Sequence, residues 1–134
     1  MSALSFVVPY TRLDAEAVAR SVGDARRRVA AFAAEVGADG DLQARVALAV
    51  SEAASNVVMH AYRGRTSRPL HIVADFENGA LEVVVADEGE GLRPRQSPGL
   101  GAGLGIIAET CDEVIVRERE GAGVELWMRF DVNG

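Results

Sequence analysis

Residues 70–91 read LHIVADFENGALEVVVADEGEG, and their pattern decides the fold. Two runs rich in β-branched and aromatic residues, 70–77 and 81–86, flank Asn78-Gly79. Asn-Gly accepts the positive φ that a two-residue hairpin turn requires, so the pair predicts an antiparallel hairpin. Alternation then sets Leu70, Ile72, Ala74 and Phe76 on one side, with Leu81, Val83 and Val85 likewise aligned. The second strand ends at Asp87 and runs directly into glycines.

The segment from Asp87 to Gly103, DEGEGLRPRQSPGLGAG, exceeds most connections in compact domains, and such segments are usually functional or disordered. Beyond it, residues 104–112 read as a short helix. Residues 113–119 and 124–130 read as two closing strands across Gly121-Ala122-Gly123.

Upstream of the hairpin, residues 5–10 (SFVVPY) suit an edge strand because Pro9 cannot donate to a ladder. A helical pattern runs from the N-cap candidate Asp14 to Glu35, with Val22, Ala25, Val29 and Phe32 at helical spacing and Arg26-Arg27-Arg28 on the exposed side. Gly23 is a possible break. Gly37-Ala38-Asp39-Gly40 ends this helix, and Asp41 is the expected cap of the next, over residues 41–62. There Leu42, Val46, Ala49, Val50, Ala53 and Val57 make the apolar stripe. The resulting order, β-α-α-β-β-loop-α-β-β, predicts one α+β domain over residues 1–134: a two-layer sandwich with a mixed, mainly antiparallel sheet and helices on one face.

Composition excludes several function classes. With 134 residues, 49% hydrophobic and 25% charged, the chain buries a core without staples. No apolar run approaches the roughly 20 residues that cross a bilayer, and the first residues lack a signal-peptide pattern, so a cytoplasmic location is the expectation. A net charge of −6 argues against direct nucleic-acid binding, which needs clustered cations. All 14 basic residues are arginine; without lysine there is neither a P-loop nor Schiff-base chemistry. The single cysteine, Cys111, rules out an internal disulfide and reads as a small core thiol.

The candidate chemistry gathers around the glycines. Asp87-Glu88-Gly89-Glu90-Gly91 follows a strand, and Gly101-Ala102-Gly103-Leu104-Gly105 precedes a helix. Glycines let backbone N–H groups approach a ligand, and a helix N-terminus attracts an anion such as phosphate. Asp87, at a strand end, is placed either to accept a hydrogen bond from an amino group such as that of adenine or to shape a turn. On the second helix Glu52, Asn56 and His60 recur every four residues and share one strip. A carboxylate there suits proton removal from a hydroxyl or water, and an amide oxygen one turn away suits Mg²⁺. His60 reads as a structural hydrogen-bonding histidine or a phosphate contact.

These motifs resemble those of the GHKL ATPase/kinase superfamily in its anti-sigma factor serine/threonine kinase form. Ala49-Val50-Ser51-Glu52-Ala53-Ala54-Ser55-Asn56 through His60-Ala61-Tyr62 is similar to the asparagine box. Val85-Ala86-Asp87-Glu88-Gly89-Glu90-Gly91 resembles the first glycine box, and Gly101 to Ile107 with Asp112-Glu113-Val114 resembles the second. The resemblance implies a Bergerat ATP-binding fold, with Asn56 as magnesium ligand, Glu52 as general base and Asp87 reading adenine. Gly89 and Gly91 would pass beneath the purine. Gly101, Gly103, Leu104 and Gly105 would meet the phosphates, with residues 92–100 as lid. It implies Mg-ATP as ligand, phosphorylation of an anti-anti-sigma antagonist, sequestration of a sigma factor, and a possible homodimer.

Sensor histidine kinases usually carry asparagine where this chain has Glu52 and need a separate phosphoacceptor helix, so the stand-alone kinase is the closer type. The alternative is a nucleotide-dependent binding module that holds a signalling partner without kinase activity. One departure stands out: where the family commonly has Gly-Thr, this chain has Gly121-Ala122. A missing hydroxyl near the adenine costs roughly 0.5–1.5 kcal/mol.

Overall fold

The computed structural model describes residues 2–8, 15–61, 70–87, 105–119 and 123–132. In chain order these form β1 (Ser2–Val8), α1 (Ala15–Glu35), α2 (Gly40–Ala61), β2 (Leu70–Glu77), β3 (Ala80–Asp87), β4 (Glu113–Arg119) and β5 (Gly123–Asp131). Residues 105–110 are also helical. Asn78 (φ 54°) and Gly79 (φ 77°) both take left-handed backbone, the geometry of the primed turn that the Asn-Gly pair predicts.

The strands form one sheet in the order β1-β2-β3-β5-β4, and each pairing is antiparallel. Its central strand is β3, which carries the register Ile72↔Val85 on one side and Val85↔Leu126 on the other. β5 lies inside β4, so the last hairpin reaches the sheet by its second strand.

Both helices cover one face. Ile72, Ala74, Leu81, Val83, Val85, Leu126, Met128 and Phe130 are buried, and they are the alternate residues that share that face. Against them α1 contributes Ala25, Val29, Phe32 and Ala33, and α2 contributes Leu42, Val46, Ala49, Val50, Ala53 and Ala54. α2 lies mainly across β3 and β5, and α1 across β1 and β2. Alanine supplies half of these contact positions on each helix. No described helix is long and apolar enough to cross a membrane.

Three local readings change. The first strand is Ser2–Val8 rather than residues 5–10, since pairing extends to Ser2↔Phe76; Pro9 and Asp14 lie outside the described residues. Gly23 does not split α1, whose 21 residues are continuous, because Ala25, Val29 and Phe32 anchor the helix just beyond it. The cap of α2 is Asp39, not Asp41: Asp39 Oδ1 accepts from the Leu42 backbone N–H at 2.8 Å, and its carbonyl accepts from Gln43 N–H at 2.9 Å. Asp41 sits inside the first turn and pairs with Arg45 at 3.5 Å. The arginines 26–28 are exposed as expected, and Cys111 is half-buried, its thiol donating to the Ile107 carbonyl at 3.0 Å.

Candidate functional site

α2 positions the first part of the site. Its apolar stripe locks it onto β3 and β5, and residues on the neighbouring strip are carried along. Glu52 is half-buried, while Asn56, one turn later, is only 8% exposed. His60 falls two turns beyond Glu52 on the same helix; its side chain lies outside the described part of the structure.

Asn56 is the anomaly among the described residues. Its Nδ2 is buried and has no hydrogen-bond partner. A buried polar group left unpaired costs about 1–3 kcal/mol, so helix interiors rarely keep one without a use. Carboxamide ends exchange by rotation about the last side-chain torsion. The same position therefore offers either a donor or a hard oxygen to whatever occupies the space beside it.

β3 supplies the second part. It ends at Asp87, which pairs in register with Leu70, so the backbone puts this residue at the end of the sheet's central strand. The side chain of Asp87, and the whole of Gly89, Gly91, Gly101, Gly103 and Leu104, lie outside the described residues. Gly105 is described: it is exposed and opens the helical stretch 105–110.

That stretch is fastened from below. Ile107 is fully buried in the core. Thr110 Oγ1 donates back to the Ile107 carbonyl at 2.9 Å, and Arg45 Nη1 donates to the Thr110 carbonyl at 3.2 Å. The Arg45 link joins α2 to the segment that follows the glycines. No sequence pattern pointed to it, because its partners are 65 positions apart and one of them is a backbone carbonyl.

A separate cleft of about 320 Å³ lies between Asp39, Asp41, Leu42, Arg45, Asp112, Asp131 and Val132. It sits near the start of α2, roughly 17–25 Å along the helix from Asn56 at 1.5 Å rise per residue. Its carboxylates are already engaged. Asp39 caps α2 and Asp41 pairs with Arg45. Asp112 accepts from the Asp131 N–H at 2.7 Å, and Asp131 pairs with Arg129. This cleft is a structural junction.

Comparison with known proteins bears on the same residues. A family model described as the histidine kinase-like ATPase domain matches residues 15–130, which takes in Glu52, Asn56, Asp87 and both glycine segments. An anti-sigma F factor from Geobacillus sp. (strain WCH70) is 28% identical over 129 residues, covering 87% of this chain and 88% of that protein. An anti-sigma F factor from Halalkalibacterium halodurans is 30% identical over 117 residues, covering 78% and 80%. The serine/threonine-protein kinase RsbT of Bacillus subtilis is 31% identical over 100 residues, covering 65% and 74%.

Proposed function

From the premise that this chain belongs to the histidine kinase-like ATPase domain family, we propose that it is an ATP-dependent serine/threonine protein kinase of the anti-sigma factor type. The kinase and anti-sigma readings rest on relatives that bear those names and align over most of both chains. The observation that carries the site is the partnerless buried amide of Asn56, one helical turn from Glu52.

In this reading Asn56 holds Mg²⁺ through its side-chain oxygen. The orphaned Nδ2 fits such a role once the carboxamide turns over to set its oxygen in the unpartnered position, since Mg²⁺ takes hard oxygen ligands and is commonly held by one or two protein groups plus substrate phosphates. When bound, the ion shields charge on the phosphates. ATP is the phosphoryl donor. Asp87 accepts from the adenine amino group, Gly89 and Gly91 let the chain pass beneath the purine, and Gly101, Gly103, Leu104 and Gly105 meet the phosphates, with His60 as a further phosphate contact.

Glu52 performs the proton work. A serine or threonine hydroxyl of the protein substrate attacks the γ-phosphorus, its proton passes to the Glu52 carboxylate, and ADP leaves with the electrons of the broken P–O bond. The substrate is an anti-anti-sigma antagonist and the sequestered partner is a sigma factor. The protein works in the cytoplasm as a homodimer.

Phosphotransfer from Mg-ATP to a candidate antagonist, followed by mass spectrometry, tests this. Glu52→Gln should keep nucleotide affinity and lose transfer by roughly a hundredfold or more, the scale of a general base. Transfer at the wild-type rate by that variant would remove Glu52 from the mechanism. Partner binding without transfer by the wild type would leave a nucleotide-dependent binding module.

A further inference from the structure

β4 is an edge of the sheet. It pairs with β5 on one side, and among the described residues no strand lies on the other. Backbone N–H and C=O groups along a free edge are a template for another strand, and charges commonly protect such edges. β4 carries charges too, but in an order that is its own complement. Residues 113–117 read Glu-Val-Ile-Val-Arg. Reversed, the segment is apolar at the same three positions and opposite in charge at each end.

Glu113 is 49% exposed and Arg117 54%, while Val114, Ile115 and Val116 are half-buried. Alternation sets Glu113, Ile115 and Arg117 on the sheet face turned away from the helices. Val114 and Val116 take the other face, where both pack against the margin of the core. Each charge already has a neighbour of opposite sign on β5. Arg117 pairs with Glu125 at 3.5 Å, and Glu113 with Arg129 at 3.4 Å.

We propose that two copies of the chain pair edge to edge through β4, antiparallel about a twofold axis that passes through the sheet at Ile115. The two five-stranded sheets then join into one. Glu113 lies beside the partner's Arg117, Ile115 beside its own copy, and Val114 beside the partner's Val116. Glu125, Arg117, the partner's Glu113 and the partner's Arg129 form a row of alternating sign across four strands, and symmetry repeats it. Opposite charges side by side on neighbouring strands are favourable, and like charges there are not.

The charges select this arrangement. Parallel pairing in register would set Glu113 and Arg117 each beside its own copy. An axis at Val114 would set Glu113 beside the partner's Ile115, and one at Val116 would set Arg117 there. A twofold contact must be self-complementary, and among these only the axis at Ile115 makes both charged positions so. Five residue pairs make a contact smaller than the roughly 800 Å² per partner of a standard interface, so the association is weak and depends on concentration. It uses neither face of the sheet and owes nothing to the nucleotide site. It is therefore separate from the homodimer reading, and a dimer formed through another surface would be linked by β4 into larger assemblies.

Disulfide trapping tests the register. In a Cys111→Ala background, which removes the native thiol, Val114→Cys and Val116→Cys are oxidised separately and as an equal mixture. Facing residues of antiparallel strands have Cα atoms about 4.5–5.5 Å apart, within disulfide reach. Position 114 lies roughly 8 Å from its own copy in this register, beyond the limit of about 7 Å, and the same holds for position 116. The mixture should cross-link roughly tenfold more than either variant alone on non-reducing gels. Both positions face the helix side, so a dimer through the opposite face would not join them. Charge exchange gives a second reading by sedimentation velocity, with melting curves to verify folding. Glu113→Arg alone sets two guanidinium groups side by side at both copies of the contact, and Arg117→Glu alone sets two carboxylates there. An equal mixture again joins carboxylate to guanidinium and should associate at concentrations roughly tenfold lower than either variant. Cross-linking by the cysteine mixture no greater than by its components would overturn the proposal, whatever dimer the wild type forms. A mixture of folded charge variants no more associated than its components would overturn it as well.

Discussion

Arg45, in the second turn of α2, donates through Nη1 to the Thr110 carbonyl at 3.2 Å and so ties the helix bearing Glu52 and Asn56 to the end of the 105–110 helical stretch. A cation at a helix C-terminus is favourable by charge as well as by hydrogen bonding. The stretch begins at Gly105, where the second glycine segment ends. Its seating is therefore set by two anchors, Ile107 in the core and Arg45 from outside.

Removing the second anchor should loosen nucleotide binding without touching the chemistry. Arg45→Ala should weaken ATP affinity roughly two- to tenfold, the scale of one hydrogen bond of about 0.5–1.5 kcal/mol. The transfer rate at saturating ATP should be unchanged. Calorimetric titration beside single-turnover kinetics separates the two, and a lower saturated rate at unchanged affinity would contradict the anchoring role.

Asn56 should show a trade between stability and function. Leucine is close to asparagine in shape, and Asn56→Leu removes the unpaired buried amide. Relief of about 1–3 kcal/mol of desolvation cost predicts a more stable fold, with Tm higher by several degrees. The same variant should lose magnesium-dependent nucleotide binding. A Tm that falls would mean the amide has a structural partner, and binding that survives would remove Asn56 from the site.

These residues also show how far sequence reading reached. The hairpin around Asn78-Gly79 and the stripe of α2 were legible because turn chemistry and helical spacing are local. The placement of Glu52 and Asn56 one turn apart on α2 was legible for the same reason. What spacing cannot state is that Asn56 is buried without a partner, since that depends on what β3 and α2 enclose together. The insertion of β5 between β3 and β4 was also hidden: a closing hairpin reads alike whichever of its strands joins the sheet. Choosing Asp41 over Asp39 as cap failed because both aspartates flank Gly40, and only the exit of α1 decides between them. Gly37 at φ 105° turns the chain so that Ala38 enters the core and Asp39 faces the free N–H groups.

The corrected cap has a measurable signature. Asp39→Ala should cost about 1 kcal/mol, the usual loss at an N-cap, which lowers Tm by about 3–6 °C for a chain of this size. Asp41→Ala should cost less, since Asp41 is 85% exposed and its pair with Arg45 is solvated. Thermal melts of the two variants compare them directly. Equal losses, or a larger one for Asp41→Ala, would return the cap to Asp41.

Cys111 offers a test by pH. Burial pushes its thiol above the ordinary range, an effect only partly offset by backbone N–H groups. The folded protein then holds its proton at pH values where an unfolded cysteine has lost it. By linkage, this contribution to stability is complete below the unfolded thiol's pKa and is lost as pH rises through the higher folded value. Alkylation by iodoacetamide, which consumes the thiolate, should be slow at neutral pH and reach half its maximal rate at a higher pH than for a cysteine in an unfolded peptide. Cys111→Ala should flatten the alkaline fall in Tm over the same window. An alkylation midpoint at or below that of the peptide would mean that the thiolate is stabilised where Cys111 sits, and the half-buried, Ile107-bonded thiol would not describe it.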